Sequence, residues 1–170
     1  MLDAATSAVG IQYYYLIREM MGVDYMRELG AQNLRFLSPN NAIAEQVVSG
    51  ELFGAPALTL NVAEEFKAKK APIDWRFPTP ATPILVRTVQ IAAKAAHPNA
   101  AKLFVNFLLA KDGQEGFQKV ARSLSPRTDV RVAGIPRAGT FPAARIIDID
   151  AFASSKKELQ DEFIRFFKTR

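Results

Sequence analysis

The residues that could perform chemistry in this chain are few. It has a single histidine, His97, and no cysteine, so disulfides, thiolate metal sites, cysteine nucleophiles and zinc cages of cysteine and histidine are excluded. A Ser-His-Asp triad would have to use His97. Pro98 and Asn99 follow it in a pattern typical of a helix start, so His97 is interpreted as structural. The nine glycines form neither GxGxxG nor GxxxxGK followed by Ser or Thr, which excludes nucleotide binding through those motifs.

Carboxylate pairs are the next residue types with catalytic potential. Glu64 with Glu65, and Asp148 with Asp150, are close in sequence, but glycoside hydrolysis needs two carboxyl groups that face each other across a substrate. Adjacent acids on a helix are usually solvated. A small α/β hydrolytic enzyme that uses Asp148 and Asp150 is therefore an alternative function, and the favoured function is not enzymatic.

Three positions carry hydroxyl or amide groups where a ligand could be held. Ser7 begins an apolar helix, Asn40 lies in a Pro-Asn-Asn loop, and Asn61 follows a short apolar run. Hydroxyl, amide and backbone N–H donors at such points can bind an oxyanion. The same residues are also ordinary capping residues, so both interpretations stay open.

Charge and composition limit the partners. The 170 residues are 49% hydrophobic and 23% charged, with a net charge of +5, which predicts one well-buried domain and permits an anionic partner. The densest basic cluster, Lys67, Lys69 and Lys70, is typical of the solvated end of a helix. Because no basic stripe with interleaved aromatics is present, nucleic acid is not expected, although an anion- or nucleic-acid-binding module is a third alternative.

Membrane and export signals are not found in the sequence. No stretch approaches the roughly 20 apolar residues that cross a bilayer. The first residues have no basic start followed by an apolar core, so no signal peptide is expected in this chain. The protein is then either cytoplasmic or begins, in nature, before Met1.

The elements that must position these residues alternate between helix and strand. Start and stop signals predict helices over 7–21 and 24–29, with breaks at Gly22 and Gly30, and a helix up to Val48. The three tyrosines at 13–15 point about 100° apart on a helix, so core packing is expected for them. Apolar runs predict strands over 55–60, 84–93 and 144–149.

The later helices are predicted from caps and apolar stripes. One begins at His97 or Asn99 and runs to Leu109, with a single apolar face; another runs from Asp112, in a capping box with Glu115, to about Ala121. Ser155 with Glu158 predicts a further capping box. The final helix has one apolar face, formed by Leu159, Phe163, Phe166 and Phe167. The overall prediction is an α/β fold.

Several motifs in a fixed order give a more specific expectation. The segments MLDAATSAVGIQYYYLI, NNAIAEQVVSGE, LTLNVAEEFKAKKAPIDWRFPTPATPILVRTVQIAAKAAHPNAAKLFVNFLLAKDGQ and SLSPRTDV together resemble periplasmic solute-binding proteins of ABC transporters, most of all the ferric-iron-type extracellular group. The resemblance covers nearly the whole chain.

This resemblance implies a fold and a role. The family has a type II periplasmic-binding-protein-like sandwich of two α/β lobes that close on a small solute and deliver it to a membrane permease. The chain resembles the C-terminal half, without most of the N-terminal lobe. On that basis 1–83 is part of the second lobe, 84–130 crosses back to the first, and 131–170 is a tail with a strand and the terminal helix. The full-length protein is expected in the periplasm.

The resemblance also implies site residues. Ser7, with the backbone of Ala8 and Val9, matches an anion-binding turn, and Asn40 and Asn61 match asparagines of the same pocket. Ferric binders have a Tyr-Tyr pair where this chain has Val62 and Ala63, and neither supplies the anionic oxygen that Fe(III) prefers. The expected ligand is therefore ferric iron, a metal–anion chelate or a small organic anion, with no cofactor and no assigned metal ligand.

Overall fold

The structure is a computed structural model that describes residues 3–79, 82–137, 139–140 and 144–168. These residues form six helices and a two-stranded parallel sheet. In chain order the elements are α1 (Ala8–Gly30), α2 (Asn40–Val48), α3 (Leu60–Ala68), β1 (Thr82–Ile84), α4 (Pro98–Leu109), α5 (Lys111–Ala121), β2 (Ala144–Ile146) and α6 (Ile149–Phe167). Thr82 lies opposite Ala144, and Ile84 lies opposite Ile146.

Helix α1 is two helical segments joined across a kink. At Gly22 the backbone has φ 82° and ψ 169°, a conformation that L side chains avoid and glycine adopts freely. The predicted break at Gly22 and the end at Gly30 are confirmed. The first segment is apolar on most of its faces and is largely buried, as its sequence predicts.

The main core lies between α1 and α6. Tyr14 and Phe163 are both 0% exposed, and their rings meet edge to face with centroids 5.5 Å apart. Phe36 packs edge to face on Phe163 at 5.2 Å, and Phe167 stacks on it at 5.1 Å. The predicted apolar face of α6 is confirmed, and Tyr14 and Tyr15 pack in the core as expected.

A buried carboxylate links the same two helices. Glu162, 6% exposed, accepts hydrogen bonds at Oε1 from the Tyr14 hydroxyl at 2.8 Å and from Arg18 Nε at 3.0 Å. The guanidinium supplies the charge that a buried carboxylate needs, because an unpaired charge in the interior is strongly destabilising. This pair fixes how α6 sits on α1.

A smaller core joins α2 and α3. Ala44, Val62 and Ile73 are its buried members, and Val47 and Phe66 pack against them. The buried side of each helix therefore faces the other helix. This packing fixes the position of α3 relative to α2.

Two of the predicted strands are wrong. Residues 55–60 form a turn and then the start of α3, and residues 85–93 have no regular secondary structure. A strand requires a neighbour for its backbone N–H and C=O groups. In the described part of the chain only 82–84 pairs, with β2, so the β-branched run that follows β1 has no partner and becomes solvent-exposed beyond Leu85.

Helices α4 and α5 form a pair whose apolar residues are largely exposed. The predicted helix and its apolar stripe are present, but no residue of α4 is buried. Leu103 is 72% exposed and Phe104 is 59% exposed. The side chains that a core would use therefore face solvent on this pair.

The corner between α4 and α5 is held by polar and backbone contacts. A Cβ on Gly113 would collide with the Phe107 carbonyl oxygen, so only glycine fits there. Gln114 donates through Nε2 to the Leu108 carbonyl at 2.6 Å and accepts from the Ser125 hydroxyl at 2.9 Å. The Gly113-Gln114 step is thus a packing feature of this corner.

Two of the predicted caps, Asp112 and Ser155, are wrong, whereas the start predicted for α4 at His97 or Asn99 is confirmed at His97. Helix α5 begins at Lys111 after Ala110, without a side-chain cap, so Asp112 lies within its first turn. His97 occupies the N-cap position of α4 but makes no capping hydrogen bond. Ser155 lies inside α6 and donates to the Ala151 carbonyl, because Asp148 already caps that helix seven residues earlier.

Helix α6 returns to the first part of the chain, since it packs on α1 and β2 pairs with β1. The division into 1–83, 84–130 and 131–170 stays a prediction, as does the two-lobed sandwich. None of the described helices is long and apolar enough to span a membrane.

Candidate functional site

Ser7 lies at the start of α1, where its hydroxyl caps the helix. Its Oγ accepts from the Gly10 N–H at 3.1 Å, and its own N–H donates to the Asp3 carbonyl at 2.8 Å. A Cβ on Gly10 would lie 2.9 Å from that same carbonyl oxygen, so the backbone of Asp3 crosses close to the first turn. Ala8 is exposed and Val9 is half-buried. The N-cap role of Ser7 is therefore fulfilled within the chain.

A carboxylate already lies beside this helix start. Asp3 accepts from the Ala5 N–H at 2.9 Å and from Lys168 Nζ at 2.6 Å. A negative side chain at a helix N-terminus is favourable for the dipole, but it also repels a second anion. The anion-binding role of Ser7, Ala8 and Val9 stays a prediction, with this carboxylate close by.

Asn40 and Thr59 join two other helix starts. Asn40 is the first residue of α2, and its Nδ2 donates to the Thr59 hydroxyl at 3.3 Å. Thr59 occupies the N-cap position of α3 but makes no capping hydrogen bond. Pro39, at the N-cap position of α2, has no side chain that could cap. The N-termini of α2 and α3 are therefore adjacent, and neither has a side-chain cap.

Backbone donors remain open at both of these starts. In α2 the N–H of Ala42 donates to Pro39, and in α3 the N–H of Val62 donates to Thr59. The two residues before Ala42 and the two before Val62 have backbone N–H groups for which no acceptor is found among the described residues. These four residues are Asn40, Asn41, Leu60 and Asn61. We call this group of four N–H donors, with the Asn40 and Asn61 side chains, the α2–α3 junction.

The Asn40 side chain has one further unsatisfied atom. Its Oδ1 is buried and has no hydrogen-bond partner, although the residue as a whole is only half-buried. A buried carbonyl oxygen without a donor is costly, typically about 1–3 kcal/mol. The junction can therefore offer several donors and one acceptor to a bound molecule.

Asn61 and the two residues after it point in different directions. Asn61 is half-buried in the first turn of α3, whereas Val62 and Ala63 are 6% and 2% exposed. Val62 belongs to the α2–α3 core. The two positions where ferric binders have tyrosines thus hold apolar side chains in the interior of this protein.

The predicted site residues are only partly brought together. Asn40 and Asn61 share the α2–α3 junction, while no hydrogen bond or ion pair in the described part of the chain connects Ser7 with either of them. Thr59 was missed by sequence reasoning. A threonine directly before an amphipathic run is an N-cap signal, but the strand predicted over 55–60 included it.

Glu64, Glu65 and Asp148 each make a local contact. Buried Glu64 accepts a hydrogen bond from Trp75 Nε1, whereas exposed Glu65 pairs with Lys69, whose ammonium holds the pKa of that carboxyl below its usual range. Asp148 uses Oδ1 to accept from the N–H groups of Asp150 and Ala151. These carboxylates serve packing, solvation and capping.

Neither His97 nor a carboxylate cluster provides a metal site. His97 is exposed at the start of α4, and the described residues contain no group of three or more His, Cys, Asp or Glu that could hold a metal ion.

Two cavities lie elsewhere. One, of about 230 Å³, lies against the kink of α1; the other, of about 520 Å³, is lined by residues 33–35 and 52–56. Ser7, Asn40 and Asn61 line neither of them.

No protein-family model, no curated protein and no solved structure matches this chain.

Proposed function

We propose that this chain is part of the solute-binding component of an ABC transporter. It captures a small anionic solute, either an organic anion or the anionic part of a metal chelate such as a ferric one, between two lobes in the periplasm. The permease then receives the solute. The observation that carries this proposal is the α2–α3 junction, where four open backbone N–H groups lie at two helix starts that the Asn40–Thr59 hydrogen bond joins.

The junction has the electrostatics of an anion site. Each helix N-terminus carries a partial positive charge of roughly half an elementary charge, and here two of them are adjacent. Open N–H groups at such a point bind oxyanions directly. The hydrogen bond from Asn40 to Thr59 holds the two starts together, so the donors are oriented before a ligand arrives.

The donors favour an anion over a bare ferric ion. N–H groups cannot coordinate a cation, and the buried Val62 and Ala63 offer no oxygen ligand. If iron is carried, the junction binds the anion that accompanies it. Ser7 and the backbone of Ala8 and Val9 would add donors from a separate helix start in the closed, two-lobed protein.

Binding to the isolated chain is expected to be weak, because closure of two lobes supplies half of the contacts. We expect a dissociation constant on the order of 1 mM or weaker for phosphate, citrate and ferric citrate, measured by titration calorimetry at low ionic strength. Nanomolar binding by the chain alone would contradict the two-lobed interpretation.

Substitution of Asn40 tests the junction itself. Asn40→Ala removes the contact with Thr59 and should weaken phosphate binding about tenfold, since one hydrogen bond contributes about 1–1.5 kcal/mol. Asn41→Ala is the matched control, because it deletes the same amide from the exposed neighbouring position and keeps the backbone N–H. Equal effects of the two substitutions would show that the junction is not the binding site.

A further inference from the structure

The cavity at the kink of α1 has a lining rich in methionine and tyrosine. The cavity of about 230 Å³ at the kink of α1 is lined by residues from both helical segments and from the loops near Pro56 and Pro78. Its α1 lining includes Met20, Met21 and Met26, together with Tyr13 and Tyr25. The chain has only four methionines, so three of the four lie at this one cavity.

The kink gives the cavity its shape. Tyr13 and Met20 lie before Gly22, and Tyr25 and Met26 lie after it. The extended ψ of 169° at Gly22 interrupts the helix, so the two segments line the cavity from either side of the break. Met26 is 1% exposed, whereas Met21 is 41% exposed. The lining thus runs from a buried floor to an accessible rim.

The side chains have a common chemical preference. A thioether is polarisable and flexible, and it packs favourably against the edge of an aromatic ring, with about 0.3–1.5 kcal/mol for each contact. Tyrosine rings favour edge-to-face contact with another ring. Methionines and tyrosines together therefore suit a flat aromatic molecule better than a branched aliphatic one.

Tyr13, Tyr25 and Thr79 each carry a hydroxyl among the residues that line the cavity. The Tyr13 hydroxyl has no hydrogen-bond partner among the described residues. Burial, with a smaller effect of nearby Tyr25, raises the pKa of Tyr13 to about 12, so this hydroxyl stays protonated at neutral pH. It can donate a hydrogen bond to a ligand or accept one from it.

We propose that this cavity binds a small flat aromatic molecule of one or two rings with a single hydrogen-bonding group, of the indole or phenol class. Size agrees with this class, because an apolar cavity of about 150 Å³ is enough to bind benzene. The site is separate from the α2–α3 junction, whose residues do not line it, so it does not depend on the proposed function.

Methionine methyl NMR tests this site directly. The chain is labelled with [¹³C-methyl]methionine and titrated with indole. Ring currents should shift the methyl signals of Met20, Met21 and Met26, and the shifts should saturate as indole is added. Tyr13→Phe keeps the ring, removes the hydroxyl and should weaken indole binding about three- to tenfold. Leu103→Ala, on exposed α4, should leave the affinity unchanged.

Two outcomes would overturn the proposal. One is that indole, brought to its solubility limit, leaves the three signals unshifted; the other is that the shifts rise linearly without saturation, which indicates nonspecific contact. Silver ion is added to a separate sample as a soft-cation probe. If silver moves the three signals and indole does not, the cavity is a thioether metal site and the aromatic proposal is wrong.

Discussion

Two helix pairs in this chain differ in how much of their apolar surface is buried. One pair is α1 with α6, and the other is α4 with α5. The α1–α6 pair buries Tyr14 and Phe163 completely, together with the Glu162 carboxylate. The α4–α5 pair has exposed Leu103, Phe104 and Phe107, and α4 has no buried residue. Helix α6 of the first pair and helix α4 of the second both have a clear apolar stripe in sequence. The difference shows that an apolar stripe predicts a helix with an apolar face, but does not predict which part of the protein covers that face.

The two regions also differ in charge. Residues 85–137 contain nine Lys and Arg against three Asp and Glu, whereas residues 3–79 contain seven against nine. The net positive charge of the chain thus lies around the α4–α5 pair, and the α2–α3 junction lies in a region with a small excess of acids. Anion binding at the junction depends on oriented N–H groups rather than on an excess of cations.

The largest change in the free energy of unfolding is expected for a truncated side chain in the α1–α6 pair. Phe163→Ala removes a fully buried ring that contacts Tyr14, Phe36 and Phe167, and should lower the free energy of unfolding by about 3–5 kcal/mol. Leu103→Ala on α4 should change it by less than about 0.5 kcal/mol. Urea unfolding followed by circular dichroism measures both. Similar losses would mean that α4 is packed as tightly as α6.

Alkaline pH should also destabilise the α1–α6 pair. Burial raises the pKa of Tyr13 to about 12, and burial and the hydrogen bond to Glu162 raise the pKa of Tyr14 above its ordinary value. Because the folded state holds these protons longer, their contribution is complete below the unfolded pKa near 10 and is lost as pH rises further. The free energy of unfolding should fall between pH 10 and 12, by up to about 1.4 kcal/mol per pH unit for each tyrosine.

Tyr14→Phe checks the assignment of that slope. The variant loses one hydrogen bond at neutral pH and should show a shallower decline above pH 10 in the same urea experiment. A slope identical to that of the unsubstituted chain would show that Tyr14 does not contribute to it.

The next largest change in stability is expected at the corner between α4 and α5. Gly113→Ala forces a Cβ against the Phe107 carbonyl and should destabilise the α4–α5 corner by about 1–3 kcal/mol. Gly116→Ala lies in the same helix, where a Cβ would meet nothing within 4 Å, and should stabilise it by up to about 1 kcal/mol. Hydrogen exchange of the α4 and α5 amides distinguishes them, and equal exchange rates would contradict the packing described for Gly113.

The smallest effect on stability is expected on the α4 face. Leu103→Ser combined with Phe107→Ser should change the free energy of unfolding by less than about 0.5 kcal/mol for each substitution. The same variant should associate less at high concentration, because it reduces an exposed apolar patch. Analytical ultracentrifugation measures the association. A strongly destabilised monomer would show that this face is covered within the chain.

The sequence predicts these helices better than it predicts the strands or the site. Helix caps and the spacing of apolar residues are local features of the sequence. The cap at Ser7, the break at Gly22 and the apolar face around Phe163 could therefore be predicted. Residues 85–93 have strand-forming side chains, but a strand depends on a distant partner that local sequence does not reveal. The sequence indicates Asn40 and Asn61 as candidate donors, while the contact of Asn40 with Thr59 depends on how α2 packs on α3.

One titration compares the two regions as anion sites. Phosphate is added to the ¹⁵N-labelled chain, with chloride at matched ionic strength as the reference. The proposed function predicts that the largest amide shifts specific to phosphate occur at Asn40, Asn41, Leu60 and Asn61. Shifts confined to the basic residues of 85–137, or equal shifts with chloride, would contradict anion binding at the α2–α3 junction.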